Sequence, residues 1–214
     1  MNAAVLAMLV GIELARQGPA WMRVRTQKTA DGYSFVSLGL LNATTIGWAI
    51  IGVGSGSWSA VVALAVWQVL FGATCWECLK VGSREDRRRF ALSLGGGVAV
   101  MVGVALAGWV SGTLLGTVGV CLAGMTVTYS VPALMEGLRA PSTAGLSAVA
   151  LAVSTVEAGI YLSAGAGLGG ASPAGTFVLG YALYGAISFA CTAPRLVRVL
   201  ARRYRGADQL VSAT

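Results

Sequence analysis

The sequence predicts an all-α membrane protein with seven transmembrane helices, built as two parallel three-helix-bundle repeats joined by a linker helix (3+1+3). Composition is the first observation behind this. The 214 residues are 56% hydrophobic and 11% charged, whereas a soluble domain carries roughly 25% charged residues. Continuity is the second. Long apolar runs cover 2–22, 35–55, 58–80, 90–110, 112–137, 146–166 and 174–197, close to the ~20 residues that a spanning helix needs. They are unbroken rather than alternating, which disfavours barrel strands. The third is an internal repeat. P-A-W-M-R-V-R-T-Q-K-T-A-D-G-Y-S at 19–34 returns without a gap as P-A-L-M-E-G-L-R-A-P-S-T-A-G-L-S at 132–147. Pro19, Ala20, Met22, Gly32 and Ser34 recur as Pro132, Ala133, Met135, Gly145 and Ser147.

Each span follows in order. The first carries Glu13 and Arg16, three apart on one helical face, a spacing that suits a local ion pair. It resembles a signal sequence in place and length, but it lacks a basic leader and has an internal counterpart in the fifth span. The second opens after G-Y-S, and the third ends with Glu77 and Lys80, again three apart. S-R-E-D-R-R-R at 83–89 reads as a solvated charged loop before the fourth span. Spans five to seven repeat one to three at the same interval of 113, for example Val5/Val118, Gly11/Gly124 and Gly52/Gly165. Two consecutive triplets would face opposite ways, because three is odd. The fourth span restores the orientation and makes the repeats parallel, one of the symmetries transporters use. The boundaries are therefore 1–83 for the first repeat, 84–112 for the linker and its helix, 113–200 for the second repeat, and 201–214 for a basic tail. The 30 glycines suit helices that approach closely in lipid.

Net charge is +7, from 15 basic residues against 8 acidic ones. With seven spans they fall on or near one face, in the loops after spans one, three and five and in the tail. The opposite loops, such as G-V-G-S-G-S, are uncharged. Positive loops mark the cytoplasmic side, so the N-terminus is expected outside and the C-terminus inside a cell (inner) membrane. The partner implied is anionic lipid at the bilayer surface, not nucleic acid.

C-W-E-C places Cys75 and Cys78 inside span three. A C-x-x-C pair can be redox-active or hold metal, but small apolar packing is the simpler reading. The chain has no histidine, which disfavours a zinc enzyme or a histidine-dependent triad. Span seven has no lysine for a retinal Schiff base. No cofactor, metal or catalytic residue is expected.

The 3+1+3 plan resembles the SWEET and PQ-loop superfamily of small-solute transporters. So does a proline late in helices one and five, followed by a basic or polar loop and G-x-S before the next helix. The resemblance covers nearly the whole chain and implies alternating access by two three-helix bundles around a central site. It puts a sugar first as solute, with a proton-coupled amino acid or other metabolite second. It leaves both monomer and homo-oligomer open. A membrane receptor or assembly factor on the same scaffold, or a thiol enzyme using C-W-E-C, are the readings from other classes.

Transport residues can be nominated by depth. Pro19 and Pro132 each free a backbone carbonyl, at Ala15 and Thr128, and their symmetry suits hinges of one gate. Glu157 lies 11 residues beyond Leu146, ~16 Å along a helix and so about half of a ~30 Å hydrocarbon core. A carboxylate there should face a cavity or be protonated, and it is the first choice for proton coupling. Tyr161 shares its face, and Thr44 and Trp48 are the equivalents of this pair in the first repeat. Trp48 and Tyr161 are expected to face each other across the solute. Gln68 and its equivalent Tyr181 replace the asparagines of the resembled family, and Asn42 is a further midplane hydrogen-bonding group.

Overall fold

The computed structural model describes residues 3–56, 58–167 and 175–211, excepting the side chains of 3–6, 8–9, 59–60, 160–167, 175–182 and 205–211. Seven helices run through them: α1 Ala3–Gln27, α2 Phe35–Gly54, α3 Trp58–Val81, α4 Arg84–Val110, α5 Leu114–Arg139, α6 Ala148–Gly167 and α7 Gly175–Val211. Four stretches, Phe35–Gly54, Val61–Val81, Arg84–Val110 and Leu114–Arg139, are long and apolar enough to cross a membrane, with a shorter apolar stretch at Ala148–Gly159. The chain is thus a helical membrane protein. Its outward face is apolar, as lipid requires: Val69 is 72% exposed and Leu106 62%.

Tryptophans mark both ends of this apolar band. Trp58 opens α3 and Trp109 closes α4 at one end, both well exposed. At the other end Arg25 lies over the Trp21 ring at 5.1 Å and Lys80 over Trp76 at 5.5 Å. Along α3, Trp58 and Trp76 are ~27 Å apart at 1.5 Å per residue, close to a ~30 Å hydrocarbon core. Indole rings favour the headgroup level, apolar on one side and hydrated on the other.

Neighbour relations organise the bundle. Helix α3 packs on α1 and α2, and α7 packs on α5 and α6. The two threes meet where α1 touches α6 and α2 touches α5, while α4 lies against α2 and α5. The α2–α4 contact is close because glycine makes it so. A Cβ on Gly39 would stand 2.6 Å from the Phe90 carbonyl oxygen and 2.9 Å from the Leu94 nitrogen.

G-x-S has the same local role twice. Ser34 accepts a hydrogen bond from Ser37 N at 3.3 Å, and Ser147 accepts one from Ala150 N at 3.2 Å. Each hydroxyl satisfies one of the orphan N–H groups at a helix start. The charged stretch 83–89 is not a loop. Ser83 and Asp86 form a reciprocal capping box, and α4 begins at Arg84. S-x-x-D is itself an N-terminal signal. Helix also continues beyond 200, through Val211.

The loops between α1 and α2 and between α5 and α6 are pressed together. Gly145 lies so close that a Cβ there would be 2.9 Å from the carbonyl oxygens of both Thr29 and Asp31. Gly32, at φ +86°, packs on the Leu146 side chain. Arg23 Nε donates across the contact to the Ala144 carbonyl at 2.7 Å. From α7, Arg195 donates to the Gly32 carbonyl at 3.2 Å, and Arg198 donates to Gly137 and Ala140 at 2.9 and 2.7 Å. Cations here complement the carbonyl end of α5. Tyr33 packs into the apolar clusters on both sides, and burial pushes its phenol above the usual range, so it stays neutral. Several arginines at this end therefore bind loop carbonyls as well as setting the charge of the surface.

Candidate functional site

Midway along α1 and α6 the two threes are joined by charge. Arg16 of α1 donates to Glu13 at 2.6 Å, one turn earlier, and through its other terminal nitrogen to Glu157 of α6. In the amide orientation that satisfies both neighbours, the Gln17 oxygen accepts from Arg16 Nε at 3.3 Å and from Trp67 Nε1 at 3.1 Å. All three guanidinium nitrogens are thereby bonded, which a charge out of water needs. The three charged side chains are 14–18% exposed.

This corrects two expectations. Glu157 has no basic residue on its own helix, yet it is ion-paired, with Arg16 of α1. Arg16 belongs to this midspan cluster and not to the basic face. The local pairs Glu13–Arg16 and Glu77–Lys80, at 2.6 and 3.0 Å, form as their spacing indicates.

Tyrosines complete the surroundings. Tyr184 of α7 lies within electrostatic reach of both Arg16 and Glu157, and Tyr129 of α5 lies close to Tyr184. Trp48 of α2 meets Tyr184 edge-on, with ring centroids 6.1 Å apart and planes at 83°, a favoured aromatic geometry. Tyr184 is thus the described aromatic partner of Trp48. The side chains of Tyr161 and Tyr181 lie outside the described residues.

A second polar group joins α2 to α3. Gln68 donates to Asn42 at 2.9 Å and accepts from Thr45 at 2.8 Å. The Asn42 amide also reaches Cys75 Sγ at 3.3 Å. The nominated residues Gln68 and Asn42 are therefore one network. Thr44, by contrast, is 2% exposed and returns its hydroxyl to the Leu41 carbonyl at 2.7 Å. Pro19 and Pro132 sit inside α1 and α5, toward the end where the loops clasp.

Glu13, Arg16, Gln17, Tyr129 and Tyr184 were not nominated from sequence as site residues. A signal was present. The interval of 113 carries Glu13, Arg16 and Gln17 onto Thr126, Tyr129 and Ser130, and these six polar side chains all lie on inward helix faces, buried or half-buried.

Cys75 and Cys78 are free thiols, 3% and 0% exposed, within an apolar cluster that includes Phe35 and Trp67. Among the described residues no group of side chains could hold a metal ion. Replacing Cys75 and Cys78 by Ala should leave membrane abundance and function within about twofold of the parent, since each swap removes one small buried atom. Complete loss of function at normal abundance would make a thiol essential.

Neither family models, nor curated proteins, nor solved structures give a match to this chain.

Proposed function

We propose that this chain is a multi-pass transporter with the 3+1+3 plan, moving a small polar solute between two three-helix bundles by alternating access. The basic end is the cytoplasmic side of a cell (inner) membrane, with the N-terminus outside. The observation that carries this reading is the Arg16–Glu157 bond. Ionisable groups deep in a membrane bundle are costly and mark solute or ion pathways, and this pair lies where the two threes meet. The helix neighbours support the plan. Exchanging α1 with α5, α2 with α6 and α3 with α7 leaves the pattern of contacts among these six unchanged. The resemblance to the SWEET and PQ-loop superfamily puts a sugar first. Two carboxylates around one guanidinium favour a proton-coupled amino acid or metabolite as the second reading.

Closure at the loop end fits one phase of such a cycle. Pro19 and Pro132, inside the two helices that lead into the clasped loops, are the hinges of this reading. The solute contacts Trp48, Gln68 and Asn42 from one half and the Glu157 region from the other, with Thr44 and Tyr161 along the same helices and Tyr181 on α7.

Uptake of labelled sugars and amino acids into proteoliposomes, with and without an inward proton gradient, tests it. Trp48→Ala should raise KM about tenfold, or ~1.4 kcal/mol, with normal abundance. No uptake of any solute under either condition ends the proposal.

A further inference from the structure

The charges joining the two halves do not balance. Glu13 and Glu157 are two acids, and Arg16 is the single base between them. Among the described residues the groups around them are Tyr184 from α7, Tyr129 from α5, and Gln17 with the Trp67 indole of α3, none of them cationic. A fully ionised cluster would hold one surplus negative charge at mid-depth, which hydrocarbon strongly disfavours.

We infer that the Glu13–Arg16–Glu157 cluster is a binding site for one proton, and that the proton, carried by Glu157, releases the bridge between α1 and α6. Geometry decides which acid gives way. Glu13 and Arg16 belong to one helix, so their pair survives any separation of the halves. Glu157 does not have that recourse, because α6 carries no base of its own. With the halves together the Glu157 carboxyl is bonded to Arg16. With the halves apart, a bare carboxylate would be stranded, and the neutral acid is the stable form. Proton binding and separation of the halves therefore favour each other, each by the same factor. The step is a plain proton transfer. A hydronium ion gives its proton to a Glu157 carboxylate oxygen and leaves as water, and the hydrogen bond from Arg16 to that oxygen is released.

This deepens the transport reading and rests on it only for the cycle that the proton would drive. Infrared difference spectroscopy on the full chain in lipid tests the site without transport. The film is taken from about pH 8 to about pH 5.5, above the range where exposed carboxyls titrate near ~4. A protonated-carboxyl C=O band, shifting in D2O, should appear on the acid side in the parent protein. Glu157→Gln should remove it, and Glu13→Gln should remove it too, because the remaining acid then has Arg16 to itself. No band in the parent overturns the inference, and that arm needs no variant to fold. A band that survives both replacements overturns it, as does one that sodium displaces at constant pH. Liposomes that transport nothing, with the band behaving as expected, would remove the transport reading and leave the proton site standing.

Discussion

Arg16→Gln should be the most damaging single replacement in the molecule, destabilising it by about 3–5 kcal/mol in detergent or lipid. The reason is the count of partners. Arg16 satisfies Glu13, Glu157 and Gln17 at once, and its loss leaves two carboxylates and an amide facing each other. Glutamine can donate two hydrogen bonds but brings no charge. The loss should show as a large fall in melting temperature and in yield of monodisperse protein. A triple replacement, Glu13→Gln, Arg16→Gln and Glu157→Gln, makes the cluster neutral and should recover much of the stability. It should not recover proton-dependent function. A single Arg16→Gln protein as stable as the parent would mean that the cluster is hydrated and contributes little.

Gly145→Ala should have the second-largest effect, and it acts at the loop end. Its added methyl would press on two backbone oxygens of the facing loop, at Thr29 and Asp31, and a backbone cannot rotate aside as a side chain can. Overpacking of this kind costs about 1–3 kcal/mol. The strain is relieved when the loops part, so the replacement should favour an opened loop end. Native Cys75, Cys78 and Cys191 are buried, 3%, 0% and 8% exposed, and their labelling by a water-soluble maleimide should speed up severalfold. Gly124→Ala is the control, because nothing lies within 4 Å of a Cβ there. Unchanged labelling in Gly145→Ala, with the control also unchanged, would show that the loop contact does not govern access.

Legibility in the sequence followed what each level of structure depends on. Four spanning stretches could be read because lipid imposes length and apolarity on each of them, whatever their neighbours. The start of α4 was misread at 83–89 because charge density was weighed above the S-x-x-D cap. Glu157 could be found from depth alone. Its partner could not, since Arg16 sits 141 residues away and meets it only through the packing of α1 on α6. Depth counted from the helix start would still have put Arg16 near mid-span, where a base is as costly as an acid. Gln68 and Asn42 were readable one by one as midspan amides, while their mutual bond needed the α2–α3 contact.

The unequal chemistry of the matched helix faces has a further consequence. Glu13, Arg16 and Glu157 on one side correspond by position to Thr126, Tyr129 and Thr44 on the other. A pair of identical half-size chains could not do this, because any charge placed on one wall would appear on both. Duplication within a single chain removes that constraint. In the proposed transport cycle a site between the halves would have a charged wall and a neutral wall, so an unsymmetrical solute would enter in one orientation only. On that reading, handedness and head-to-tail direction would become selectable properties, because the proposed second helix trio need not copy the charges of the first.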